Sequence, residues 1–190
     1  MANFAELNDI VMGVIGDYML KNQHLCKLLY YYPDDKTPNY NPFIQPDIPN
    51  TSELMFTHIY PLPKIPDAVV DQKGYVCVTL TGGHSMDENT GFRRVNVQFD
   101  IINHLNSWAI KGGLRPYYIA NELDIMFNNT NVTLPIVNKS QYCGFRMKDY
   151  SSYYYGIQLI YTFVIDSNIN CDLTVKYNPI GRMINGYKQT

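Results

Sequence analysis

Hydrophobic and polar positions alternate most cleanly in the middle of the chain. In Arg94-Val-Asn-Val-Gln-Phe-Asp-Ile101, Val95, Val97, Phe99 and Ile101 face one way, and Arg94, Asn96, Gln98 and Asp100 face the other. Period two with one apolar face predicts a strand that covers a core on one side and meets water or a partner on the other. The apolar, β-branched run Tyr75–Thr81 precedes it, separated by the turn-rich stretch 82–91, so the pair reads as a hairpin with a long loop. Gly112-Gly113 and Pro116 then introduce a helix carrying Ile119, Leu123, Met126 and Phe127 on one stripe. A second hairpin follows. Residues 141–148 alternate Tyr142, Gly144, Arg146 and Lys148 against Cys143, Phe145 and Met147, and Tyr155–Ile165 sets Ile157, Leu159, Tyr161, Phe163 and Ile165 on one face.

The ends of the chain read differently. Phe4, Leu7, Val11, Val14, Tyr18, Leu25 and Leu28 keep one helical phase, predicting a long amphipathic helix over about residues 3–30, with a bend at Asn22-Gln-His24. Tyr30-Tyr-Tyr32 and Pro33 end it. Residues 33–73 carry eight of the 11 prolines, which forbids a long helix and favours an extended arm. Tyr40, Phe43, Ile44 and Ile48 anchor that arm, and Leu54–Tyr60 is its one candidate strand. The arm either embraces a neighbouring subunit or folds back on its own domain, and the sequence leaves both open. Beyond residue 166 only Asp172–Val175 reads as a strand, in a tail expected to order against a partner. The sum is a single α+β domain over 1–190: N-terminal helix (1–32), proline-rich arm (33–73), hairpin–helix–hairpin core (74–166) and tail (167–190). Its architecture is a two-layer sandwich, an antiparallel sheet of about four main strands with the N-terminal and central helices on one face.

Composition narrows the function classes. The 190 residues carry a formal net charge of −2 and no basic run, which argues against a dedicated nucleic-acid surface. No apolar run approaches the roughly 20 residues of a membrane span, and the N-terminus lacks a signal-peptide pattern, so a soluble protein made in the cytoplasm is expected. The four scattered cysteines read as reduced thiols packed as small hydrophobes. The 17 tyrosines suit strands and wet protein interfaces, and equally suit stacking on sugars or bases.

Candidate chemistry is sparse. His24, His58, His84 and His104 form no zinc-ligand spacing, and no phosphate-binding glycine loop is present. Neither a metal nor a cofactor is expected, nor an enzymatic activity. His84-Ser-Met86-Asp87-Glu88 is the one crowding of base, hydroxyl and carboxylates, but these are neighbours on one loop, whereas triads are assembled from separate elements. A partner-contacting loop tip is the better reading. Arg93, Arg94 and Arg115 are the concentrated cations of the central unit, and inter-subunit pairing with Asp87 and Glu88 is one role open to them, solvated strand-face charge the other.

The order of N-terminal helix, long-looped hairpin, Phe92-Arg-Arg-Val-Asn-Val-Gln-Phe-Asp-Ile-Ile102, helix and second hairpin resembles the phage tail-terminator and head–tail neck proteins, over residues 1–30 and 74–166. The arm at 33–73 and the tail at 167–190 depart from that pattern. The resemblance implies a structural virion protein that caps the tail or joins it to the connector. It implies a homo-oligomeric ring of about six or twelve copies, with portal, connector, tail or neck proteins as partners, and DNA passing through the lumen without specific binding. On that reading His84, Met86, Asp87, Glu88, Arg93, Arg94, Arg115, Tyr40 and Phe43 are the expected subunit or ring contacts. Two other classes remain open: a Tyr-rich module binding glycan or single-stranded nucleic acid, and a small hydrolase using His84 with Asp87 or Glu88.

Overall fold

A computed structural model describes residues 4–32, 40–64, 72–86, 91–130 and 139–166. The tail with its candidate strand at 172–175 therefore lies outside the described residues, as do Asp87 and Glu88. The architecture is α+β, with a five-stranded sheet in the order β1-β2-β3-β7-β6. β2 (Gly74–Ser85), β3 (Phe92–His104), β6 (Gln141–Asp149) and β7 (Tyr154–Asp166) are the four long strands, antiparallel to their neighbours. The fifth strand comes from the arm: β1 (Ile59–Tyr60) pairs parallel with β2, which makes the sheet mixed. A small separate hairpin of β4 (Ala109–Ile110) and β5 (Gly113–Leu114) turns at Gly112, whose φ of 90° suits glycine, and feeds the central helix α3 (Arg115–Phe127).

The described helices α1 (Phe4–Gly13), α2 (Gln23–Tyr30) and α3 pack against one face of the sheet. Ile119, Leu123 and Phe127 on α3 are fully buried. Phe127 stacks on Phe99, with ring centroids 5.1 Å apart, and meets Tyr161 and Phe163. Side chains of this size contribute about 1.5–3 kcal/mol each when wholly removed from water. The alternating strand residues Val95, Val97, Phe99 and Ile101, with Ile157, Leu159, Tyr161, Phe163 and Ile165, form the opposing layer of the same core.

The N-terminal segment departs from the single helix its periodicity predicts. α1 (Phe4–Gly13) runs into a π turn at Val14–Tyr18 and a 3₁₀ turn at Met19–Lys21, and a separate helix α2 (Gln23–Tyr30) follows. Glycines at 13 and 16 weaken the α-helical ladder there. Asn22 then leaves helical geometry and caps α2, its side-chain oxygen accepting from the Leu25 N–H at 3.0 Å. One apolar stripe survives because Val14, Ile15 and Met19 stay buried through the irregular turns.

The described part of the arm folds back onto its own domain. The Gln23 side chain donates to the Ile48 carbonyl at 3.1 Å and accepts from its N–H at 3.0 Å. Lys27 pairs with Asp47 at 2.7 Å, and the Tyr31 hydroxyl donates to the Pro46 carbonyl. Ile48, Leu54 and Ile59 are buried in the common core.

Candidate interface at the sheet edges

The predicted site residues separate into three places. The first is the upper end of the β2–β3 hairpin. Both strands run further than the alternation indicates, to Ser85 and from Phe92, and the register shifts between Leu80 and Gly82. His84 lies opposite Arg94, and Ser85 opposite Arg93. Opposed residues share a face, so His84 and Arg94 lie on the helix-free face while Arg93 lies on the helix side. The two arginines, adjacent in sequence, do not act together. Met86 closes the hairpin through its N–H to the Phe92 carbonyl at 3.0 Å. A surface groove of about 570 Å³ follows this end, lined by Leu7, Leu80, His84, Arg93 and Val95 among others.

The second place corrects an expectation. Arg115 is fully buried at the opposite end of the sheet and offers no surface contact. Its Nε donates to the Ser107 carbonyl at 2.9 Å, and one Nη donates to the carbonyls of Leu28 and Tyr31 at 2.5 and 3.0 Å. The latter two lie at the C-terminal end of α2, where carbonyls lack helical partners and the helix dipole favours a cation. The guanidinium also sits 4.4 Å from the centre of the Tyr32 ring. Arg115 therefore locks α3 to α2, and burial works against its charge. Tyr40 and Phe43, the third place, are half-buried beside α3 and the β4–β5 hairpin. The Tyr40 carbonyl accepts from the Lys111 N–H at 2.8 Å, and Phe43 packs edge-on against Tyr118 and His24.

Sequence periodicity passes over an open apolar surface beside β6. β6 is an edge strand, and its register shifts between Tyr142 and Gly144, where Gly144 takes φ 145°. Cys143 is the extra residue of this β-bulge. The shift moves Tyr142 into phase with Phe145 and Met147, which lie opposite Tyr161, Leu159 and Ile157 on the helix side. All three are substantially exposed, at 42%, 63% and 49%. Tyr117 on α3 extends the patch, and a groove of about 340 Å³ runs between helix and strand past Asp124, Tyr142 and Phe145. A glycine inside a strand pattern was the available signal for the bulge.

The helix-free face of the sheet is polar at its centre. Asp100, nearly buried, accepts from Tyr150 Oη at 2.6 Å, from Gln158 Nε2 at 2.7 Å and from Gln98 Nε2 at 2.7 Å. Arg146 donates to Gln158 in turn. The hydrogen bond to Asp100 and burial both hold the Tyr150 phenol protonated well above its ordinary range, burial being the larger cause. This network satisfies itself and leaves no open donor set. Among the described residues no three His, Cys, Asp or Glu side chains gather as metal ligands, and no helix is long and apolar enough to cross a membrane.

A search of curated proteins finds no match to this chain. The profile of the YomW family matches residues 22–163, the span from the start of α2 almost to the end of β7. That match takes in the arm, the sheet and α3, with both of the exposed edges, and the chain belongs to the YomW family, a phage-associated family with a Bacillus prophage-type name.

Proposed function

We propose that this chain is a ring-forming structural protein of a tailed-phage virion, a tail terminator or neck protein at the head–tail junction. The observation that carries this reading is the outer edge of β6, with which no strand pairs among the described residues. Nine residues of strand end the sheet there, and Tyr142, Phe145 and Met147 stand exposed beside it. An open, apolar strand edge invites another chain unless it is covered. Membership in a phage-associated family supplies the setting. On this reading the protein is made in the host cytoplasm, enters the virion, contacts connector and tail proteins, and performs no catalysis. Its net charge of −2 suits a channel wall along which DNA slides without sticking.

The glycan or nucleic-acid module draws no comparable support. Tyr153 is 54% exposed and stacks on His104, but its neighbour Tyr154 is fully buried, so Tyr153, Tyr154 and Tyr155 form no common platform. The test of the proposal is quantitative mass spectrometry of purified virions from a phage encoding this chain. The expected result is a fixed copy number comparable with that of the portal. Absence from virions overturns the reading.

A further inference from the structure

The sheet has a second open edge. β1 pairs with β2 only at Val76 and Cys77; beyond it Pro61, Leu62 and Pro63 stay beside Thr79 and Leu80 as a groove wall without pairing, and the Lys64 carbonyl lies against Cys77 Sγ. Among the described residues no strand pairs with the outer edge of β2 from Val78 to Ser85. An apolar groove of about 380 Å³ runs beside it, lined by Leu7 and Val11 of α1, by Leu62, and by Leu80. It shares Leu7 and Leu80 with the larger groove that reaches His84 and Arg93.

The two edges match in direction and, over part of their length, in level, and the grooves beside them carry opposite charges. Leu80 aligns across the sheet with Val97, Tyr161 and Tyr142, and Val78 with Phe99, Leu159 and Phe145. The free parts of the two edges therefore overlap in height from Val78 to Gly82 of β2 and from Phe145 to Gln141 of β6, with their apolar side chains on the helix side. Three antiparallel pairings separate β2 from β6, so the two strands run in opposite directions. A second copy placed alongside in the same orientation brings β6 antiparallel to β2, the stronger ladder. On β3 opposite Ser85, above the level where β6 begins, Arg93 lines the groove and meets no carboxylate among the described residues. In the β6 groove, level with Tyr142, Asp124 accepts among the described residues only from the neutral donors Tyr161 and Asn128. Self-pairing of β6 across a two-fold axis instead gathers the Asp124 carboxylates of both copies at one interface.

We infer that copies of this chain associate head to tail, the β6 edge of one adding to the β2 edge of the next so that Phe145 enters the groove beside Leu62 and Leu80. The inference rests on the ring-forming reading and names its contact. Such a heterologous contact repeats, and it closes into a ring when the rotation per copy divides a full turn.

Two exposed side chains test it, one per edge: Phe145→Glu on β6 and Leu62→Glu beside β2, with Tyr142→Glu, level with Leu80, as a second β6 block should Phe145→Glu fail to fold. Leu62 is 50% exposed, so both folds are expected to survive, checked by near-ultraviolet circular dichroism. Each variant alone is expected to run as a monomer in native mass spectrometry where the unaltered chain assembles. Mixed one to one, they are expected to form a dimer, twice the monomer mass and no larger, because one intact edge of each kind remains. Assembly blocked by only one of the two variants means a self-paired edge and overturns the head-to-tail contact. Assembly untouched by both overturns the use of either edge while leaving the ring reading standing on other surfaces. An unaltered chain that stays monomeric at every concentration overturns the contact, and the virion measurement above then decides the broader reading separately.

Discussion

At the scale of single residues, two positions carry disproportionate structural weight. Gly156 lies opposite Ile102 in the centre of the sheet, where a Cβ would meet the Ile101 carbonyl oxygen at 1.7 Å. The obstacle is backbone, which cannot swing aside, so Gly156→Ala is expected to cost more than about 2 kcal/mol and to lower the thermal midpoint by several degrees. A midpoint unchanged from the parent contradicts this close approach. Arg115 is a buried cation whose partners are carbonyls, and removing it strands those acceptors along with the helix end they terminate. Arg115→Ala is expected to destabilise by about 3 kcal/mol in urea unfolding, and Arg115→Lys to recover little of it, because an ammonium cannot span three carbonyls in a planar fork. Thiol chemistry sorts the described cysteines in the same way. Burial raises the Cys26 thiol to about 12 and the Cys77 thiol to about 11, whereas Cys143 is exposed on the β6 bulge. Only the thiolate reacts, so at pH 8 a maleimide is expected to label Cys143 in the native protein and to reach Cys26 and Cys77 only on unfolding, as read by peptide mapping. Rapid native labelling of Cys26 contradicts its packing.

At the scale of elements, Asn22 shows how one side chain divides a helix. Its oxygen caps α2 and its amide donates to Glu122 on α3 at 2.9 Å, so it sets both where α2 begins and how it meets α3. Asn22→Ala is expected to cost about 1 kcal/mol, measured by chemical denaturation, and a neutral substitution contradicts the capping role. The strands were legible because their core faces alternate without error: Val95 to Ile101 and Ile157 to Ile165 are buried on one side throughout. α3 was legible from the four-residue spacing of Ile119, Leu123 and Phe127. The N-terminal segment misleads because its apolar stripe is continuous, while the backbone beneath it changes from α to π to 3₁₀. Phase along β6 misleads for a related reason: a bulge inserts a residue that alternation cannot register, and it reverses the face of every later side chain. Arg115 was misplaced because a lone arginine near a helix start looks the same whether it meets solvent or the end of another helix. The arm's return to α2 depends on Gln23, Lys27 and Tyr31 meeting Ile48, Asp47 and Pro46, pairings with no local signature.

At the scale of the whole molecule, the helices cover one face of the sheet, and the other carries the polar network around Asp100. Among the described residues no strand pairs with either outer edge of the sheet, at the upper part of β2 and along β6. A monomer that leaves two long edges unpaired carries an aggregation hazard, and closing them against copies of itself removes it. Assembly accounts for both exposed edges at once, which a site for a small substrate does not. The most direct measurement is the native mass of the purified chain across a wide concentration range, with negative-stain images of the same samples. The account predicts one discrete oligomer of about six or twelve copies, seen as closed rings. A monomer at every concentration, or a dimer that grows no further, contradicts it.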